Sequence, residues 1–253
     1  MRKVLILSSV IGIMILCSCG GHPKHNPASL TLKFNPMFGS NVLRLGNTYE
    51  TPAPYAQYFN FSELRLFLSH IKLVRADAST VEVNPVVYIS LDDSTTYNIP
   101  LGDSLGSFTA IRFSIGLDST QDNYAPGTNP DPSYTLNENV VQNNMFWGLT
   151  QKYVFVKMDV EVDSISSLTQ SDGLGYHIGT PPYYTTVTLN FNQALNVSAT
   201  GQSVITLTTD FQKIFTGVNG INPMVQHGTM TSGNNDTLAL QFMSNLSQSF
   251  SLQ

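Results

Sequence analysis

Residues 153–162 carry the clearest alternation in the chain. Val154, Val156, Met158, Val160 and Val162 share one parity, and Lys157, Asp159 and Glu161 share the other. A period of two sends successive side chains to opposite faces of an extended chain, so this segment reads as a half-buried strand. Beyond the N-terminal segment, nothing sustains the 3.6-residue period of a helix. Strand-like pieces recur instead at 30–34, 61–74, 81–91, 97–101, 108–117, 185–195, 203–211 and 237–243, set apart by Gly, Pro, Asn and Asp. In 61–74 the apolar phase slips between Leu68 and Ile71, as a bulge or bend at Ser69 and His70 would produce. Segments 185–195 and 203–211 read as an alternating pair separated by 196–202, and residues 211–218 as a short helix or turn. Many short strands with no βαβ pattern predict an all-β chain, an antiparallel β-sandwich of immunoglobulin-like or Greek-key type. The irregular stretch 118–144 is too long for a neutral connection and is expected to fold over one end of the sandwich.

Charged residues make up 11% of the 253, far below the roughly 25% of an ordinary soluble domain. Serine, threonine, asparagine and glutamine supply the missing polarity. A net charge of −5 argues against nucleic-acid binding, which needs a basic footprint.

The N-terminus reads as a targeting segment. Arg2 and Lys3 precede an apolar run at 4–16 that is too short for a membrane-spanning helix. Leu16-Cys17-Ser18-Cys19 then fits a bacterial lipobox with Cys19 as the lipidated position. Residues 1–18 are thus expected to be a signal peptide and 19–27 a flexible tether, with one domain over 28–253. Acyl chains on Cys19 would hold the protein at a membrane surface in the cell envelope, in the outer membrane or periplasm. With Cys17 removed and Cys19 acylated, no thiol remains for a disulfide or a nucleophile. His22 and His25 lie in the tether, where flanking Gly and Pro deny them a fixed helix, and they read as solvated.

Two hydrolase-like strings occur. Gly102-Asp103-Ser104-Leu105, extended to Gly106, matches a serine elbow, and Gly233-Asn234-Asn235-Asp236 resembles a later block of one hydrolase family. Those folds place the serine between a strand and a helix. Too few residues separate Ser104 from the strand at Phe108, so a turn is expected there and no catalytic residue. Asp118-Ser119-Thr120-Gln121-Asp122-Asn123 offers oxygen ligands that could take calcium, but it lacks the glycine and terminal glutamate of an EF-hand and reads better as an Asx-rich surface loop.

Three phrases stand in a fixed order: Phe113-Ser114-Ile115-Gly116-Leu117-Asp118, Met145-Phe146-Trp147-Gly148, and Tyr176-His177-Ile178-Gly179. The sole tryptophan, Trp147, falls just before a strand, and His177 falls between glycines in what reads as a loop. With the strand at 64–73 and an ending through Asn245 and Phe250, this order resembles the MbnP-like family, copper-binding proteins named after methanobactin operons. The resemblance implies a β-sandwich, export, and a mononuclear copper site. It also implies a di-haem partner enzyme that oxidises the tryptophan to kynurenine. Carried over, Trp147 is the modified residue and His177 a ligand. The family often has an aromatic or histidine two residues after the tryptophan, where this chain has Leu149. It also has a glycine where this chain has Lys152. A second histidine must then come from His70 or His227, the latter three residues after Met224.

These readings make the chain an exported, copper-handling lipoprotein and not an enzyme. The alternative is a metal-free envelope lipoprotein that binds a protein or glycan through the loop tyrosines Tyr124, Tyr134, Tyr183 and Tyr184.

Overall fold

The computed structural model describes residues 29–128, 136, 144–231 and 236–253. The signal peptide, the tether with His22 and His25, and Cys19 lie outside the described residues, as do Tyr134 and the Gly233-Asn234-Asn235 string.

In chain order the strands are β1 (Ser29–Phe38), β2 (Asn41–Val42), β3 (Thr48–Glu50), β4 (Tyr58–Val74), β5 (Thr80–Ser90), β6 (Asn98–Pro100) and β7 (Gly106–Ile115). They continue as β8 (Val154–Asp163), β9 (Asp172–Gly179), β10 (Thr185–Val197) and β11 (Gln202–Asp210). A short helix α1 (Gln212–Thr216), β12 (Thr229–Thr231), α2 (Thr237–Ser247) and β13 (Phe250–Leu252) complete the chain. One sheet runs β13-β11-β1-β2 with β6 on β1. The other runs β10-β7-β4-β8-β9-β12, with β3 and β5 also on β4. The two sheets pack as an all-β sandwich. Among the described residues no helix is long and apolar enough to cross a membrane.

Between the sheets lies a core that includes Leu32, Phe34, Phe61, Phe113, Met158 and Leu207. The outer face of the larger sheet carries a second apolar cluster, in which Phe67, Tyr153 and Phe155 pack with Leu136 and Met145. Consecutive Leu66, Phe67 and Leu68 are therefore all buried, because both faces of the sheet are covered there. Leu136 and Met145 belong to the 118–153 connection, so part of that connection packs on this face. The phase slip in β4 is also present: its register with β7 shifts between Ser69 and Lys72, and His70 has φ +49°.

Four local expectations need correction. Residues 237–243 form the start of α2 and not a strand. Asp236 caps the helix by accepting from the Ala239 N–H at 3.1 Å. Ala239, Phe242, Met243 and Leu246 then bury one helical face; the alternation of Leu238, Leu240 and Phe242 was a short accident. Second, β10 and β11 do not pair with each other. β10 pairs with β7 in the larger sheet, whereas β11 crosses to the smaller sheet and pairs in parallel with β1. Third, β8 is not half-exposed along its length, since Phe155 and Lys157 on its polar parity are both buried. Fourth, His177 lies within β9 and not in a loop. Gly179 marks close backbone approach, since a Cβ there would stand 2.5 Å from the Tyr153 carbonyl oxygen.

Candidate metal centre

The outer face of the larger sheet beside the second cluster is polar. Antiparallel register sets Glu63 of β4 opposite Asp159 of β8, and Asp159 opposite Gly175 of β9. The adjacent row runs Arg65, Lys157, His177. Directly opposed side chains on one face lie close enough to pair. His177 is 8% exposed, and its Nε2 lies 2.6 Å from Oδ1 of Asp159. Burial works against the Asp159 charge, but hydrogen bonding and charge from His177, with help from Glu63 and Lys157, outweigh it. The carboxyl is held below its usual range. Lys157 Nζ sits 2.9 Å from Glu63, whose other oxygen meets Arg65 at 2.8 Å. Arg65 continues to Asp92 at 3.1 Å.

Trp147 reaches this row from the connection. The Trp147 N–H donates to the Lys152 carbonyl at 2.8 Å, and the Lys152 N–H donates back to Gly148 at 2.7 Å. Phe146 bridges to Tyr153, and their rings stand 4.8 Å apart. This tight reversal sets the indole edge-on to the His177 ring, with centroids 5.6 Å apart and planes at 67°. The two residues that the sequence phrases single out are thus neighbours, although 29 positions of chain lie between them.

The model of the MbnP family matches residues 27–232. The chain belongs to the MbnP family. A solved structure, MbnP from Methylosinus trichosporium, is similar with a TM-score of 0.49 at 12% identity, covering 76% of this chain and 78% of that one. No relative is found among curated proteins.

The other sequence candidates of this MbnP-family chain fall elsewhere. His227 is exposed and lines a shallow groove with Gly173, Leu174, Gly175, Gly228 and Thr229, a lining that includes neither Trp147 nor His177. Met224 packs against the main core. His70 has Nε2 2.8 Å from Asp118 and Nδ1 3.2 Å from Glu82, so both ring nitrogens already face carboxylates. Among the described residues, no three His, Cys, Asp or Glu side chains converge as a ligand group.

One oxygen of each candidate calcium ligand is used locally. Asp118 Oδ1 accepts from the N–H groups of Thr120 and Gln121, Asp122 Oδ1 accepts from Tyr153, and Asn123 Oδ1 accepts from Lys152 Nζ. The Asp118 bonds are those of an Asx turn, and the other two tie the loop to the segment before β8. Ser104 lies in the turn between β6 and β7, with no helix after it. Tyr183 is buried, and its hydroxyl accepts the Asp236 N–H at 3.0 Å, so it is not a surface contact for a partner. Tyr184 packs against the second cluster.

Sequence reasoning missed Asp159, Glu63 and Lys157 as site residues. The alternation of β8 put Asp159 and Lys157 on one face, which was the available signal. Their partners depend on which strands pair, and the alternation carries no such information.

Proposed function

We propose that this MbnP-family protein is an exported lipoprotein that binds copper at the Trp147–His177 pair, and that it handles the metal without catalysing a reaction. The observation that carries this reading is the contact between the sole tryptophan and a buried histidine. An imidazole with a carboxylate behind it suits copper in either oxidation state. An intact indole does not, because its N–H only donates. The donor set therefore fits copper if Trp147 is oxidised to kynurenine, whose amine or ketone offers a lone pair. A di-haem partner enzyme would carry out that oxidation. In this reading Trp147 and His177 hold the ion; His227 is exposed and lines a groove whose lining includes neither of them. The half-buried position of Trp147 leaves the indole open to such a partner. Acyl chains on Cys19 would keep the domain at the membrane surface of the cell envelope.

The test uses protein purified from its own host. Copper at one equivalent, with a Trp147 peptide at the kynurenine mass, is the expected result. Loss of copper in His177→Ala should accompany it. Unmodified Trp147, with copper content untouched by His177→Ala, would sink the reading. For the anchor, Cys19→Ala should leave the membrane fraction, and its retention there would count against lipidation.

A further inference from the structure

We propose that the end of the sandwich at which β1 begins is a lipid-contact surface. Leu105, Val204 and the groove between β10 and β11 rest on the bilayer, and the Trp147–His177 pair stands at the far end, turned to the aqueous side. This rests on the Cys19 anchor proposed above and not on the copper reading.

Ser29 opens β1 at this end. Its N–H donates to the Gly201 carbonyl at 3.1 Å, and the Leu30 N–H donates to the Gly102 carbonyl at 2.8 Å, so two turns flank it. Ser29 follows Cys19 by ten positions, which even a fully extended chain spans in no more than ~35 Å. An acylated Cys19 therefore keeps lipid within that reach of this end. Two aliphatic side chains are exposed here: Leu105, in the turn before β7, at 50%, and Val204, near the start of β11, at 58%. Beside them a groove of about 300 Å³ is lined by Phe191, Leu195, Val204, Ile205 and Leu252, and its polar side chains are all amides. It lies where β10 slips register with β7, between Asn190 and Leu195.

Charge separates this end from the rest of the surface. The chain is acidic, with a net charge of −5, so anionic lipid repels it at short range. No Asp, Glu, Lys or Arg occurs from Gly173 to Thr209, a run that holds all of β10 and all of β11 but Asp210. The neighbouring turns carry Asp77 and Asp103, offset by Arg75, which lies against Gly106, and by Lys33 on β1. Exposed apolar side chains around an uncharged groove suit a lipid surface. The tryptophan lies away from it. β7 has ten residues, so it carries the chain about 33 Å from Gly106 to Ile115. Gly116 then abuts Phe155, whose cluster Trp147 packs against.

The experiment places one tryptophan at a time in the full chain, purified from its own host. In a Trp147→Phe background, Leu105→Trp and Val204→Trp report on the near end and Leu149→Trp on the far end. All three positions are exposed, so each reporter can be read without the others. The proteins are reconstituted into vesicles of phosphatidylethanolamine and phosphatidylglycerol, with and without bromine on the acyl chains. Bromine should quench Leu105→Trp and Val204→Trp and leave Leu149→Trp unchanged. Acylated protein in which both near-end reporters keep their emission, or in which Leu149→Trp is quenched as strongly, overturns the inference. Near-end reporters that are blue-shifted in a detergent-solubilised dimer, and unquenched in vesicles, would assign the face to a second copy and overturn it as well. The mass of the N-terminal peptide separates the two premises. An unacylated Cys19 defeats the anchor and the inference with it, whereas an acylated Cys19 without near-end quenching defeats the inference alone.

Discussion

Trp147 is the sole tryptophan, so the protein's tryptophan emission reports on its surroundings alone, the His177 ring among them. Removing the imidazole beside it in His177→Ala should admit water and shift the emission to the red. An unchanged spectrum would mean that the rings do not meet in solution. A second residue makes a pH prediction. The Asp122 side chain is inaccessible; Oδ1 takes the Tyr153 N–H at 3.1 Å, but Oδ2 has no hydrogen-bond partner and Lys152 is 4.0 Å away. Burial pushes its carboxyl up, and the Tyr153 N–H and Lys152 offset only part of that. A folded pKa above the unfolded one means that the folded state binds more protons between the two values. Stability therefore falls as pH rises through that window and stays lower at neutrality. Asp122→Asn keeps an acceptor for Tyr153 and removes the charge, so it should raise the melting temperature at pH 7. The gain should vanish below about pH 4, where the native side chain is protonated in both states. A lower melting temperature at pH 7 would contradict this. At this scale Trp147 and His177 were legible in the sequence as members of ordered phrases. Asp159 was not, because its meaning depends on a neighbour 18 residues away across a strand pair.

Strands were legible where a period of two persisted for eight residues or more, as in β8 and β10. They were misread where the window was short. Residues 237–243 satisfy both periods, and only Leu246, beyond the window, tips the pattern to a helix. The cap at Asp236 is a further helix signal, and Asp236→Ala should cost about 1 kcal/mol. Asp236 also accepts from the Thr229 hydroxyl, so the substitution loosens β12 as well. Glycines were misread for a related reason. Those around His177 suggested a loop, yet they sit in or at the end of a strand where backbones approach closely. Gly116, just past β7, combines both demands. Its φ is +95°, and a Cβ there would fall inside the van der Waals radius of the Phe155 ring. Gly116→Ala should cost about 3 kcal/mol, from backbone strain together with overpacking. Phe155 belongs to the cluster beside Trp147, so a shift in Trp147 emission should accompany the lower melting temperature. A variant as stable as the native protein would show that the second cluster yields more readily than its packing implies.

At the scale of the molecule, the alternation predicted a sandwich, but no local pattern could give its closure. β1 and β11, at opposite ends of the chain, pair in parallel over nine positions, Ser29 to Met37 against Gln202 to Asp210. Such long-range pairing leaves no mark on either strand's own sequence. The family match ends at residue 232, yet α2 and β13 lie beyond it and complete the core. Phe242 stacks on Tyr176 with centroids 5.3 Å apart, and Phe250 meets Phe113 edge-on at 5.1 Å. Met243 and Leu246 are also buried, and β13 extends the smaller sheet through β11. Full burial of four such side chains is worth roughly 6–12 kcal/mol. That is as large as the whole stability of a typical domain, roughly 5–15 kcal/mol. Ending the chain after Thr231 should therefore abolish the cooperative thermal transition and the near-ultraviolet circular dichroism, not merely lower the melting temperature. Tyr176 immediately precedes His177 on β9, so the loss of Phe242 would also unseat the strand that carries the candidate ligand. A truncated protein that still melts cooperatively would mean that the sandwich closes without its last helix and strand. Phe242 and Phe250 would then contribute far less to stability than their burial implies.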